Sequence, residues 1–202
     1  MLERLFRKGC SIPHYSYLWV GLSFRRGGYS DNVSGAGNQQ ERLSIAEIPA
    51  ALGSFLAGFA LGEASFVIVC RQRADYGRQW KLSAAFNVSQ KDRAPLDLFR
   101  ETLGCGSMRK AGNGGWYWEV NDLLTLSERI VPFFDRFQLV GTKAKDFERF
   151  RDAVAILSHR RLSDADYDVS VLELREHMNG GGKRRYTMER ILRDYTPSSV
   201  RS

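Results

Sequence analysis

Glu63 is the residue best placed for chemistry, because of what precedes it. Leu56-Ala57-Gly58-Phe59-Ala60-Leu61-Gly62-Glu63-Ala64 is an almost wholly apolar, small-residue stretch that delivers one carboxylate near its end. Gly58 and Gly62 stand four residues apart and so share one face of a helix, with Ala57 and Leu61 beside them. A face with so little bulk lets two helix backbones approach closely. The expectation is a tight helix–helix contact across a two-fold axis. After Glu63 the pattern changes to the strand-like run Ser65-Phe66-Val67-Ile68-Val69. An acid set against a packed apolar helix is costly unless something cationic binds it. A functional carboxylate at a helix tip is expected.

The charge balance points to a polyanion. Lys and Arg total 30 against 23 Asp and Glu in 202 residues, a net charge of +7. Such a balance favours nucleic acid or an anionic membrane surface. No apolar run approaches the ~20 residues of a membrane span. The N-terminal Met1-Leu-Glu-Arg-Leu-Phe-Arg-Lys lacks the apolar region of a signal peptide. A cytoplasmic or organellar protein without a membrane partner is expected. Cys10, Cys70 and Cys105 are far apart and form no Cys-x-x-Cys pair, which argues against zinc and a disulfide framework. Cys70 reads as a small apolar strand residue. His14, His159 and His177 have no metal-ligand spacing to one another.

These groups need elements to position them. Residues 1–45, with Gly27-Gly28, Gly35 and Gly37, read as an N-terminal extension, partly loop. The organised core spans 46–160. It opens with Pro49 at the start of a helix running to about Gly62. Strands are expected over 65–74 and 80–90, the second alternating Trp80, Leu82, Ala84, Phe86 and Val88 with Lys81, Ser83, Ala85, Asn87 and Ser89. A helix from Asp92 stops at Gly104. A second hairpin, 106–111 and 115–121, turns at Gly112-Asn-Gly-Gly. Helices follow over about 122–137 and 144–159. The order αββαββαα predicts an α+β fold, one four-stranded antiparallel sheet with helices on one face. Residues 161–202 read as a C-terminal helical basic extension, with helices near 168–178 and 187–195.

Leu56 to Ala64 resembles the LAGLIDADG motif of the homing endonucleases, in the variant that continues Gly-Glu-Ala-Ser-Phe. The similarity extends over about residues 50 to 195, and the motif occurs once. The resemblance implies a metal-dependent endonuclease cutting both strands of double-stranded DNA at a long, near-palindromic intron-insertion site. One motif per chain implies a homodimer, with Ala57, Gly58, Leu61 and Gly62 at the seam. Phosphodiester hydrolysis needs a metal, an activated water and a cation for the developing charge. Glu63 matches the family's ligand for Mg²⁺ (Mn²⁺ or Ca²⁺ can also occupy such a site), with the Gly62 carbonyl assisting. Gln90, closing Phe86-Asn-Val-Ser-Gln, matches a residue that orients the water network. Lys143, in Leu139-Val-Gly-Thr-Lys-Ala-Lys-Asp-Phe, matches the lysine that reaches the cleavage centre, with Lys145 the alternative register. The chain departs from the family at Leu61, where the name-giving motif has an acid, and at Ala64, where glycine is usual. Neither change removes a catalytic group.

The saddle-shaped sheet would read DNA with its outward face. Parity places Ser65, Val67, Val69, Arg71 and Arg73 there on the first strand, and Lys81, Ser83 and Asn87 on the second. Arg109, Tyr117 and Glu119 join them if Met108, Trp116, Trp118 and Val120 pack against helices; a one-residue slip would invert the set. Arg and Lys pair with guanine and Asn with adenine, so this face can read a major groove. Arg78, Gln79 and Lys110, at the hairpin tips, would touch outer positions. Lys183, Arg184 and Arg185 are expected to contact phosphate. The alternative is an RNA-binding intron maturase, or a DNA-binding regulator that does not cut. Glu63, Gln90 and Lys143 together favour the nuclease, since a pure binder needs none of them.

Overall fold

The computed structural model describes residues 43–75, 79–112, 114–158, 164–182 and 184–194, with the side chains of 164–166 outside the description. All of them lie in one compact unit that begins at Gln39. The expected leader therefore lies almost wholly outside the described residues, as do Arg78 and Lys183.

A helix, α1 (Ala50–Glu63), leads directly into β1 (Ala64–Gln72), which pairs with β2 (Trp80–Gln90). Helix α2 (Ala94–Leu103) connects to a second hairpin, β3 (Ser107–Lys110) and β4 (Trp116–Val120). The antiparallel order β1-β2-β4-β3 makes one four-stranded sheet. Then come α3 (Leu123–Thr125), a π-helical segment Leu126–Ile130, α4 (Val131–Arg136), α5 (Gly141–Ser158), α6 (Asp164–Glu176) and α7 (Met188–Arg193). This is the α+β fold expected from the element order.

Aromatic packing joins sheet to helices. The Phe66 ring lies 5.0 Å from Phe86, 5.3 Å from Phe134, 5.5 Å from Phe147 and 5.1 Å from Phe150, centroid to centroid. Pairs at such separations add to the area they bury. Phe86 and Phe134 also touch each other, so β1, β2, α4 and α5 share one cluster. Trp118 stacks on Phe99 and donates its indole N–H to the Cys105 carbonyl at 3.0 Å, which anchors α2 over the second hairpin.

The single helix expected over 122–137 is interrupted by its π turn. Pro132 supplies no N–H to continue the ladder, which accounts for the local irregularity. Arg129, in that turn, donates to the Leu103 carbonyl at the end of α2 and to the Leu43 carbonyl. Helix α5 begins at Gly141, three residues earlier than expected, with a left-handed φ of 66° there.

The C-terminal segment is integrated into the unit. Trp80, Leu172 and Ile191 form a second apolar cluster, with Cys70, Leu82, Tyr186 and Met188 against it. Arg184, expected at a phosphate, is turned inward instead. Its guanidinium donates to the carbonyls of Arg175 and Met178 and lies 3.3 Å from the Glu176 carboxylate. It satisfies the end of α6, and no sequence pattern separates such an arginine from its exposed neighbour Arg185.

Gly53 has a steric reason to be glycine: a Cβ there would fall 2.2 Å from the Phe137 ring. Gly53→Ala should cost about 2 kcal/mol through overpacking, read from urea unfolding.

Candidate functional site

Helix α1 buries Gly53, Leu56, Ala57 and Ala60 against its own core, the i, i+3, i+4, i+7 pattern of one face. Ala57, expected at a dimer seam, therefore packs inside its own chain. It lies on the turn face opposite the open one, one residue short of Gly58. Leu61 is half-buried and also touches the core. The open face carries Ala51, Ser54, Phe55, Gly58 and Gly62. A Cβ built at Gly58 or Gly62 meets nothing within 4 Å. Among the described residues nothing requires glycine at either position, unlike Gly53. Phe55, 55% exposed on the same face, extends the stripe. Its signal was an aromatic i−3 to Gly58, hidden by the overall apolarity of the helix.

Glu63 ends α1 and is exposed. The Ala64 N–H takes the Ala60 carbonyl, and the chain then turns to strand. The Gly62 carbonyl therefore has no later helical N–H to receive. A carboxylate and a helix-end carbonyl at one corner are oxygen donors of the kind hard divalent cations prefer. Among the described residues, no three His, Cys, Asp or Glu side chains converge to hold a metal.

Gln90 meets Glu63 across space. A cavity of about 200 Å³ is lined by Glu63, Ser89, Gln90, Lys91, Ala111, Gly115, Trp116 and Tyr117. The Gln90 Oε1 accepts the Lys91 backbone N–H at 2.8 Å, which leaves the amide NH₂ to donate elsewhere. Lys91 was missed by the sequence reading, since a lysine just past a strand gives no distinguishing signal.

Lys143 reaches the same corner from the first turn of α5. Its Nζ donates to the Ala64 carbonyl at 2.6 Å, one residue beyond Glu63. Lys145 is exposed two residues on, where a helix turns it to another face. The two registers are thus separated by geometry.

The outward sheet face is set by register. Phe66 pairs with Phe86, and Val88 with Trp118, all toward the helices. Ser65 opposite Asn87, Val67 opposite Ala85, Val69 opposite Ser83 and Arg71 opposite Lys81 therefore face away. On the second hairpin Arg109 pairs with Tyr117, and Asn87 with Glu119, so Arg109, Tyr117 and Glu119 share that outward face. Arg71 and Lys81 are like charges directly opposite, an arrangement unfavourable on its own. The Arg109 guanidinium lies 4.3 Å from the Tyr117 ring and 3.4 Å from Glu119.

Two expectations, for Lys110 and Arg73, need correction. Lys110 pairs with Trp116 and lies 5.9 Å from its ring, so parity turns it to the helix side. Arg73 lies past the end of β1. Its N–H takes the Gln79 carbonyl to close the hairpin, and its guanidinium binds Asp75, with Nε to Oδ1 at 2.9 Å. That arginine holds the Asp75 carboxyl below its ordinary range. Gln79, with a left-handed φ of 60°, lies in the hairpin turn, at the tip where it was expected. Burial pushes the Cys70 thiol up to about 11, in keeping with an inert strand residue. No helix among the described residues is long and apolar enough to cross a membrane.

An apolar helix running straight into a four-stranded sheet, with one acid at the corner, defines the class structurally. Residues 56–154 match a family model described as LAGLIDADG endonuclease. The likeness to that family rests on this segment. The Neurospora crassa protein named "Probable intron-encoded endonuclease 2" is 26% identical over 151 residues, which are 73% of this chain and 32% of that protein. The chain thus spans about a third of the length of that relative. The homing endonuclease I-TnaI has a similar structure, with a TM-score of 0.61 and 23% identity, covering 70% of this chain and 94% of that one. The meganuclease I-SmaMI bound to uncleavable DNA gives 0.61 and 22%, covering 65% and 45%. These likenesses show a shared fold.

Lys143→Met should cost about 1–2 kcal/mol by losing the charged donor to the Ala64 carbonyl. Lys145→Met should stay within about 0.5 kcal/mol of the parent. Urea melts of the two variants measure the difference.

Proposed function

We propose that this chain is a site-specific, double-strand DNA endonuclease that works as a homodimer with Mg²⁺. The observation that carries the reading is the corner itself. An exposed carboxylate shares a cavity with Gln90 and lies one residue from the carbonyl that Lys143 grips. The outward sheet face begins at the next residue, Ser65.

Each side chain has a task that its chemistry suits. Glu63 and the Gly62 carbonyl would hold the divalent ion, which supplies charge neutralisation at the phosphate and acidifies water when bound. Gln90 keeps its Oε1 on a backbone amide and presents its NH₂ to orient a water. Lys143 spends one of its three donors on Ala64 and keeps two, and its charge, for the phosphate. The like-charged pair Arg71 and Lys81 would be relieved by a phosphate backbone between them. Arg109, Tyr117, Glu119, Asn87 and Ser83 supply the mixed donors and acceptors that base edges need.

Duplex cleavage needs two such corners. Gly58 and Gly62 leave space on α1 that none of the described residues fills, which suits close approach of a second copy. The fold accounts for nearly all of I-TnaI but under half of the DNA-bound I-SmaMI. That ratio supports reading one chain as half of the cutting unit.

Two experiments test this. With Mg²⁺ and a plasmid carrying the uninterrupted insertion site of the host gene, the parent should give linear product. Glu63→Gln should lose roughly 10³-fold or more in rate, of the order expected when charge stabilisation is removed, with duplex affinity kept. A folded Glu63→Gln protein that still cut would overturn the assignment. Gly58→Leu should leave the protomer folded, since a Cβ there meets none of the described residues within 4 Å. Sedimentation should then show a dimer in the parent and a monomer in the variant; an unchanged distribution would remove α1 as the seam.

A further inference from the structure

A clamp joins the C-terminal segment to the acid corner. Asn179 follows α6 in a left-handed conformation, with φ of 52°. Its backbone N–H donates to the Asp146 Oδ1 at 3.0 Å, and its side-chain Nδ2 donates to the Phe66 carbonyl at 3.1 Å. Asp146 is a buried carboxylate on α5, one turn after Lys143. The two carbonyls held on β1, of Ala64 and Phe66, are two residues apart and so point the same way from the strand. Lys143 and Asn179 thus grip alternate rungs of the start of β1, and Asp146 links the two grips through α5.

We propose that Asn179 is a positioning residue for the corner. It holds the first residues of β1 against α5, and so fixes Glu63 relative to the Lys143 ammonium. The proposal rests on the endonuclease reading for its consequence in catalysis and on the geometry alone for the clamp. The residue type fits: asparagine tolerates the left-handed backbone and also carries an NH₂ donor on a short arm. Neither glycine nor aspartate offers both.

Those two substitutions separate the roles. Asn179→Gly keeps the backbone conformation and the N–H to Asp146 but loses the donor to Phe66. Asn179→Asp keeps the length but sets a carboxylate against the Phe66 carbonyl. In the full chain, hydrogen exchange of the amides in 64–68 should rise in Asn179→Gly and rise further in Asn179→Asp. On the insertion-site plasmid with Mg²⁺, the single-turnover rate should fall about tenfold in Asn179→Gly while the duplex Kd stays within about twofold. A merely stabilising contact would lower the melting temperature without slowing that step in folded protein. Unchanged exchange at 64–68 in Asn179→Gly overturns the clamp, and increased exchange with an unchanged cleavage rate overturns its role in positioning. Should Asn179→Asp fail to fold, Asn179→Gly carries the test. If the parent itself cuts nothing, the endonuclease reading fails and exchange alone decides the clamp.

Discussion

No residue separates α1 from β1, and the rest of the site depends on that junction. A loop there would let the acid wander. Instead Glu63 is the last helical residue and Ala64 the first of the strand. The helix axis fixes Glu63 from one side and the sheet from the other. Phe66, two residues into β1, is locked among four other phenylalanines, so the strand cannot slide without breaking the centre of the core. Placement of the carboxylate thus follows from burial of a ring a few residues away.

The same junction explains the choice of alanine at position 64. Its backbone is extended, with φ of −92° and ψ of 156°, and its side chain is buried. Glycine would gain nothing in that conformation, and a larger side chain would have to displace the core. The family's usual glycine is therefore dispensable here for a stated geometric reason. Glycine is needed instead at Gly53, under the Phe137 ring, and at Gly106, where φ is 80° and a Cβ would lie 2.4 Å from the Trp118 indole nitrogen.

Much of this was legible in the sequence because it is periodic. The strict alternation from Trp80 to Ser89 fixes which face of β2 is buried, and antiparallel pairing then carries the parity to β1 and β4. Features that depend on a single partner far along the chain were not legible. Arg184 lies against α6 and Arg185 in solvent, yet the two are neighbours of one type. Ala57 and Gly58 are adjacent small residues, and only the depth of packing under α1 tells that one is inside. Lys110 sits at a hairpin tip, and only parity carried to the end of β3 tells which side of the sheet it takes. Asp146 and Asn179, 33 residues apart, could not be paired by any local pattern.

Among the described residues the sheet has two margins with no further strand, the outer sides of β1 and β3. Unpaired margins invite another chain's strand to add on, the first step of aggregation. Here β1 has alternate carbonyls already capped by an ammonium and an amide, and β3 is four residues long with adjacent cations at its end. Growth by strand addition is discouraged at both borders. A second copy would then find fewer open rungs along the pleated layer than its strand count suggests.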